Sequence, residues 1–315
     1  MAGRGGATGV APTFVGGPCV VTPDRTNVEV FSRASDGHIY RRAFDGNNWG
    51  TWISLAALDA TKIDARSDLD CGASADTVHI VATGVVPAGS FQHAFGFGTA
   101  YNPFFRELDP KVFGLNPSVT LFNNNEYLLA GFESGVLPAL YSVAAGSTAA
   151  TLTPITTLAE NFTSAVDIAQ QPGGSALTYF VAFDVSGSLA IYSNSRSSGG
   201  SLWDQPVRIA PPPASSFAFS PTVCTETGAF GVYSLNVAAV ADGKLWFSGA
   251  QSPAALSASS RWTQIGADGA SSPDCTVAGA GQSTVHVVAL SSTGAVVDIH
   301  GSGLSWLVTD LGRSP

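Results

Sequence analysis

The chain holds five histidines, His38, His79, His93, His286 and His300, and histidine is the side chain whose ordinary pKa lies near neutrality. His300 stands close to Asp298 in sequence, and an imidazole beside a carboxylate can act as a general acid or base. A surface histidine in a late strand is the competing reading. His79 and His286 occupy equivalent settings, Val78-His79-Ile80 and Val285-His286-Val287. No H-E-x-x-H spacing occurs, so no metal site is expected. A second group gathers Tyr40, Arg41, Arg42, Trp49 and Trp52. Indole faces with a guanidinium beside them make a stacking platform and a clamp for a ligand; for Trp52, packing within the fold is the simpler role. Asp64, Asp68 and Asp70 could offer three oxygens to Ca²⁺, but Arg66 and Leu69 between them fit a solvated loop better. Nucleophile elbows, Walker loops and G-x-G-x-x-G turns are missing from the sequence. Hydrolytic and redox chemistry lack their machinery, no cofactor is expected, and any catalysis would rest on orientation and a few hydrogen bonds.

Composition narrows the partners. The 315 residues carry 14 basic and 23 acidic side chains, a net charge of −9, with 45% hydrophobic residues and 35 glycines. With so little positive charge and no basic cluster, nucleic acid and anionic membrane surfaces are not expected as partners. No apolar run reaches the length of a membrane-spanning helix. Residues 1–14 lack the continuous apolar stretch of a secretory signal. The expectation is a secreted protein whose signal has been removed, with an intracellular protein as the alternative. Asn161-Phe162-Thr163 is a glycosylation sequon that matters only in the first case.

The elements that hold these residues are set by internal repetition. Turn glycines recur at Gly37, Gly89, Gly135, Gly187, Gly243 and Gly294, 46 to 56 residues apart. A β-branched or aromatic run precedes each, among them Val28 to Arg33, Leu177 to Phe183 and Val285 to Leu290. An apolar segment such as His38-Ile39-Tyr40 follows. Asp36-Gly37 and Asp242-Gly243 are hairpin signals, because both residue types tolerate positive φ. Upstream of each glycine lies a further register, Cys19, Cys71, Val119, Val166, Cys224 and Cys275, read as the innermost strand. Fourth strands are read at Trp49 to Leu55, Phe104 to Leu108, Leu202 to Ile209, Arg261 to Ile265 and Ser305 to Leu311. Four short strands in about fifty residues make one propeller blade. The fold class expected is all-β: a single six-bladed β-propeller over residues 1–315, with blades at about 15–60, 61–110, 111–160, 161–212, 213–267 and 268–315. An irregular β-sandwich is the alternative.

All four cysteines lie on the innermost register. Disulfides would join Cys19 to Cys71 and Cys224 to Cys275. Free buried thiols are the expectation, because the inner strands of neighbouring blades could stand too far apart to be bridged.

The first repeat, Val30-Phe31-Ser32-Arg33-Ala34-Ser35-Asp36-Gly37-His38-Ile39-Tyr40 with Trp49-Gly50-Thr51-Trp52, resembles the repeat of the bacterial and fungal lectin-like β-propellers that include the fucose-binding lectins. Weaker copies stand at Ala241-Asp242-Gly243-Lys244-Leu245-Trp246 with Trp262, and at Ser292-Thr293-Gly294 with Trp306. The resemblance implies sugar sites in clefts between blades, built from an Arg, a carboxylate and an aromatic plane. In the fucose-binding type the Arg lies eight residues before the turn glycine and the Glu four after it. The first set here reads Glu29, Val81, Tyr127, Tyr179, Leu235 and His286. The second reads Arg41, His93, Ala139, Ile191, Phe247 and Asp298. No repeat keeps the Arg–Glu pair, and repeat one shows the two charges exchanged. A ligand site is therefore expected among Glu29, Tyr40, Arg41, Trp49, His286, Asp298 and His300, in an inter-blade cleft or an axial pocket, for a carbohydrate or similar small ligand. Some lectin-like propellers are thought to act as cyclases of the hetero-Diels–Alder type. The resemblance thus leaves open a natural-product enzyme with one central pocket. A scaffold for a protein partner is a third possibility.

Overall fold

In a computed structural model the described residues are 12–315, apart from 25, 56–57, 59, 65–66, 75–76, 86–87, 99, 102–105, 108–115, 124–125, 134–136, 145–152, 158–159, 172–176, 196–202, 213–214, 228–232, 260–261, 280–282 and 303–304. They form six antiparallel sheets, in which strands pair with their neighbours in sequence except that Arg106–Glu107 pairs with Ala88–Phe97. From the inside outward, sheet 1 comprises Cys19–Val21, Val28–Arg33, Ile39–Phe44 and Ile53–Ser54. Sheet 2 comprises Asp70–Ser74, Thr77–Val85 and Ala88–Phe97, with Ala100–Tyr101 and Arg106–Glu107 both on its outer edge. Sheet 3 comprises Ser118–Asn123, Glu126–Glu133, Leu137–Ala144 and Thr153–Thr157. Sheet 4 comprises Asp167–Gln170, Leu177–Phe183, Leu189–Ser195 and Val207–Ile209. Sheet 5 comprises Phe217–Thr227, Tyr233–Ala241, Lys244–Ala250 and Thr263–Asp268. Sheet 6 comprises Asp274–Ala278, Thr284–Leu290, Val296–Ser302 and Ser305–Gly312.

The six innermost strands neighbour one another in chain order, and that of sheet 6 returns to that of sheet 1. The chain is an all-β propeller. Its second strands explain why: Val28–Arg33 is buried at every residue, so both faces need a partner. Phe31 packs with Ile80 and Tyr101 of sheet 2, whereas Val28 and Val30 pack with Val288 and Leu290 of sheet 6. Period-two alternation thus turns one strand into the seal of two clefts. Residues 12 and 314 meet at the closure. Trp52 Nε1 donates to the Leu311 carbonyl at 2.7 Å, and Ser314 Oγ donates to the Pro12 carbonyl.

The turns follow the residues that make them. In sheets 1, 4 and 6 the same four-residue turn recurs, with Gly37, Gly187 and Gly294 at φ of 81°, 76° and 76°. In each, the glycine N–H donates to the carbonyl three residues back, on Ala34, Asp184 and Ser291. Asp242-Gly243 makes a two-residue turn with both φ positive, 48° and 72°. Gly89 departs from the expectation. It lies inside the strand Ala88–Phe97. Gly135 is itself outside the described residues.

Several expectations need correction. The cysteines are not free: Cys19–Cys71 and Cys224–Cys275 are disulfides. The inner strands of sheets 1 and 2, and of 5 and 6, bring the paired Cα atoms to 5.7 and 5.8 Å, well inside bridging range. Val166 precedes its strand, which begins at Asp167. The fourth strands expected from Trp49, Phe104, Leu202 and Arg261 are regular over Ile53–Ser54, Arg106–Glu107, Val207–Ile209 and Thr263–Asp268, with Trp49 adding an isolated bridge to Phe44; 104, 202 and 261 lie outside the described residues. A short helix, Pro253–Ser259, and a 3₁₀ turn, Ala60–Lys62, were not anticipated.

Candidate functional site

Pairing register, not sequence counting, decides which residues share a cleft. In sheet 1, Arg41 faces Phe31 and Glu29 faces Ala43, so Glu29 and Arg41 are diagonal neighbours on one face. Arg41 Nε donates to Glu29 Oε2 at 2.7 Å and its Nη2 to Oε1, a two-point pair. The pair lies in the cleft toward sheet 2, beside Phe31 and the edge-on ring of Tyr101 at 5.9 Å. Burial, and then the Glu29 charge, push the Tyr101 hydroxyl pKa far up. The Arg41 guanidinium is held above its ordinary value, first by its hydrogen bond to Glu29. Both side chains are nearly closed off, 13% and 5% exposed.

The same register in sheet 6 gives His286 and Asp298, with His300 directly across from His286. His286 Nδ1 lies 3.1 and 3.2 Å from the two Asp298 oxygens, and His300 Nδ1 lies 2.8 Å from Oδ2. The imidazoles stack at 5.2 Å. Burial pushes the Asp298 carboxyl up, but the hydrogen bonds from both imidazoles outweigh it and leave it below the usual carboxylate range. His300 is raised, chiefly by its hydrogen bond to Asp298. This face looks across to sheet 1. The Phe44 ring lies 6.1 Å from His286, and Trp49 lies 5.3 Å from Phe44. Trp49 Nε1 is buried without a hydrogen-bond partner. His300, 22% exposed, is the cluster's opening to solvent.

The expected ligand residues therefore do not form one site. Glu29 and Arg41 belong to the cleft between sheets 1 and 2. Trp49, His286, Asp298 and His300 belong to the cleft between sheets 6 and 1. Tyr40 shares the second face but is a core residue, its ring edge-on to Phe14 at 6.0 Å and its hydroxyl donating to Asp36 at 2.7 Å. The guanidinium beside the indoles is that of Arg42, not Arg41. Arg42 lies 5.9 Å from the Trp52 ring and donates to the carbonyls of Gly50 and Leu311.

Register also corrects the residues counted from turn glycines. In sheet 2 the equivalent pair is His79 and His93, not Val81 and His93, because His93 faces Val81 as Arg41 faces Phe31. His79 Nδ1 and His93 Nε2 are 3.0 Å apart, the rings stacked and both buried. Burial lowers the His79 pKa to about 4. In sheet 5 the tight Asp242-Gly243 turn shifts the position from Leu235 to Asn236, whose Nδ2 is buried without a partner. In sheet 3 pairing places Leu128 and Leu140 there, rather than Tyr127 and Ala139. Polar pairs thus stand in three consecutive sheets, 6, 1 and 2. The hairpin length and a register shift between Thr83 and Val85 hid the third from the sequence.

The axial pocket is a different environment. Asp70, Asp167 and Asp274, from sheets 2, 4 and 6, each accept the backbone N–H of the next sheet's inner strand at 2.7 Å, from Val119, Val223 and Val20. Burial pushes all three carboxyls up; the Asp167 charge adds to it for Asp70, and those of Asp70 and Asp167 for Asp274. Asp68 and Asp70 line this pocket, so they are not part of a solvated loop; Arg66 lies outside the described residues. Asp68 accepts from the Gly17 N–H at 2.5 Å and from Asn116 and Ser272. The cavity measures about 40 Å³, room for a few water molecules. The central-pocket cyclase finds no support in this site.

A closed ring of antiparallel sheets, each packed on the next, defines a β-propeller. The solved structures it resembles include several lectins and a microbial sialidase. AofleA from Arthrobotrys oligospora superposes with a TM-score of 0.68 at 13% identity, over 98% of this chain and 89% of that one. A variant of Aleuria aurantia lectin in complex with α-methyl-L-fucoside gives 0.64 at 9% identity, over 96% and 97%. SapL1 lectin in complex with α-methyl fucoside gives 0.66 at 11%, over 97% and 98%. No protein-family model and no curated protein matches the sequence.

Proposed function

We propose that the chain is a six-bladed lectin-like propeller that binds a carbohydrate in the cleft between sheets 6 and 1. The observation that carries this reading is the group His286, Asp298 and His300 facing Phe44 and Trp49 across one inter-sheet cleft. Imidazole and carboxylate offer donors and acceptors to vicinal hydroxyls, and an indole covers the apolar face of a sugar ring. The six sheets, and the fucosides bound by the lectins of the same fold, support it. Aleuria aurantia lectin is itself a six-bladed β-propeller with fucose recognition. The Glu29–Arg41 pair, satisfied by itself and nearly closed, is the weaker ligand site. Both disulfides support residence in an oxidising compartment.

A glycan array probed with the wild-type chain and with Trp49→Ala tests the reading. Wild type should retain at least one glycan class, fucosides being the first to inspect, and Trp49→Ala should lose it. An array on which wild type binds nothing would rule the reading out.

A further inference from the structure

We propose that His286, Asp298 and His300 form a binding site for one first-row transition-metal dication of the zinc or cobalt kind. One ligand atom from each residue lies within 4.8 Å of the others, two from imidazole and one from a carboxylate. Ligand atoms about 2.0–2.1 Å from one metal, at tetrahedral or octahedral angles, are about 2.9–3.3 Å apart. To the one oxygen Asp298 Oδ2, the observed N···O separations are 3.2 Å from His286 and 2.8 Å from His300, within about 0.1 Å of that spacing. The ion would stand between the two Nδ1 atoms and the Asp298 carboxylate, each neutral imidazole then carrying its proton on Nε2. Two imidazoles and one carboxylate suit zinc, cobalt, nickel or copper, not calcium or magnesium, which take oxygen ligands.

The strand geometry places the donors. His286 and His300 are cross-strand partners, and Asp298 is two residues before His300, so all three project from one face. No sequence motif announces such a site, because its ligands meet across a hairpin and not along a helix. Three protein ligands leave at least one coordination position for water or a ligand hydroxyl, and the partly exposed His300 gives access from the cleft. The other metal-type cluster, Cys19, Cys71 and Asp274, is closed to this chemistry because the two sulfurs are bonded to each other.

The inference does not rest on sugar binding. The test is titration of Co²⁺ into the full, disulfide-intact chain after chelator treatment and dialysis, followed by d–d absorption and by equilibrium dialysis. One cobalt per chain is expected, with Zn²⁺ competing and Ca²⁺ without effect. His300→Ala, at the partly exposed ligand, should weaken binding at least about tenfold while the chain stays folded by circular dichroism. Trp49→Ala should bind cobalt as wild type does even where it loses a glycan, which separates the two proposals. Absence of a cobalt spectrum in wild type, or equal affinity in His300→Ala, would overturn the site.

Discussion

At the scale of single residues, the two polar clefts differ in what their charges are free to do. Glu29 and Arg41 complete each other, and removing one leaves the other buried and uncompensated. Arg41→Ala should destabilise the chain by about 3–5 kcal/mol, measured by urea unfolding; a loss below about 1 kcal/mol would show that solvent already reaches Glu29. His79 supplies a pH dependence. Its folded pKa, about 4, lies below the ordinary 6.5, so the unfolded chain takes up the proton first. Its contribution is complete above pH 6.5 and lost as pH falls toward 4, up to about 3 kcal/mol in all. Thermal unfolding from pH 7 to pH 4 should therefore show a smaller decline in His79→Gln than in wild type. Equal declines would mean that His79 is not buried neutral. These residues were legible in the sequence only as types. Glu29, Arg41, His286 and Asp298 fall on the family spacing because sheets 1 and 6 share one turn. Leu235 was read in place of Asn236 because a two-residue turn shortens the sheet 5 hairpin by one.

At the scale of elements, the second strands and their turns were the most legible part. Runs such as Val28–Arg33 and Leu177–Phe183 match the observed strands, because strands buried on both faces must be apolar and β-branched. Outer strands were less legible, since Ile53–Ser54 is exposed and pairs over two residues only. The cysteines were read on the right register and with the right partners, yet as thiols. Sequence does not report that inner strands of neighbouring sheets come within 6 Å. Each disulfide ties one innermost strand to the next across 52 or 51 residues. The chain-entropy relation gives about 4 kcal/mol for loops of that length. Cys71→Ser with Cys19→Ser should lower stability by about that amount; an unchanged unfolding midpoint would mean the inner ring is held without the bond.

At the scale of the whole molecule, closure concentrates three carboxylates on the axis, one from every second sheet, each holding the next sheet's inner strand. Because their folded pKa values are raised, this group favours folding at low pH and loses that contribution as pH rises above the unfolded carboxyl range. Asp70→Asn should therefore show a smaller stability deficit at pH 8 than at pH 5, read from melting temperatures; a deficit that grows with pH would contradict a carboxyl raised by burial. The same closure sets a cavity of about 40 Å³ on the axis and polar side chains on the faces between sheets. Of these, the cleft from sheet 6 to sheet 1 alone combines an opening to solvent, a carboxylate, two imidazoles and an indole among the described residues. A crystal structure of the chain with a bound glycan is the most direct measurement. The sugar should lie between sheets 6 and 1, within hydrogen-bond reach of His300 and against Trp49. A sugar found in another cleft, or on the axis, would contradict the account.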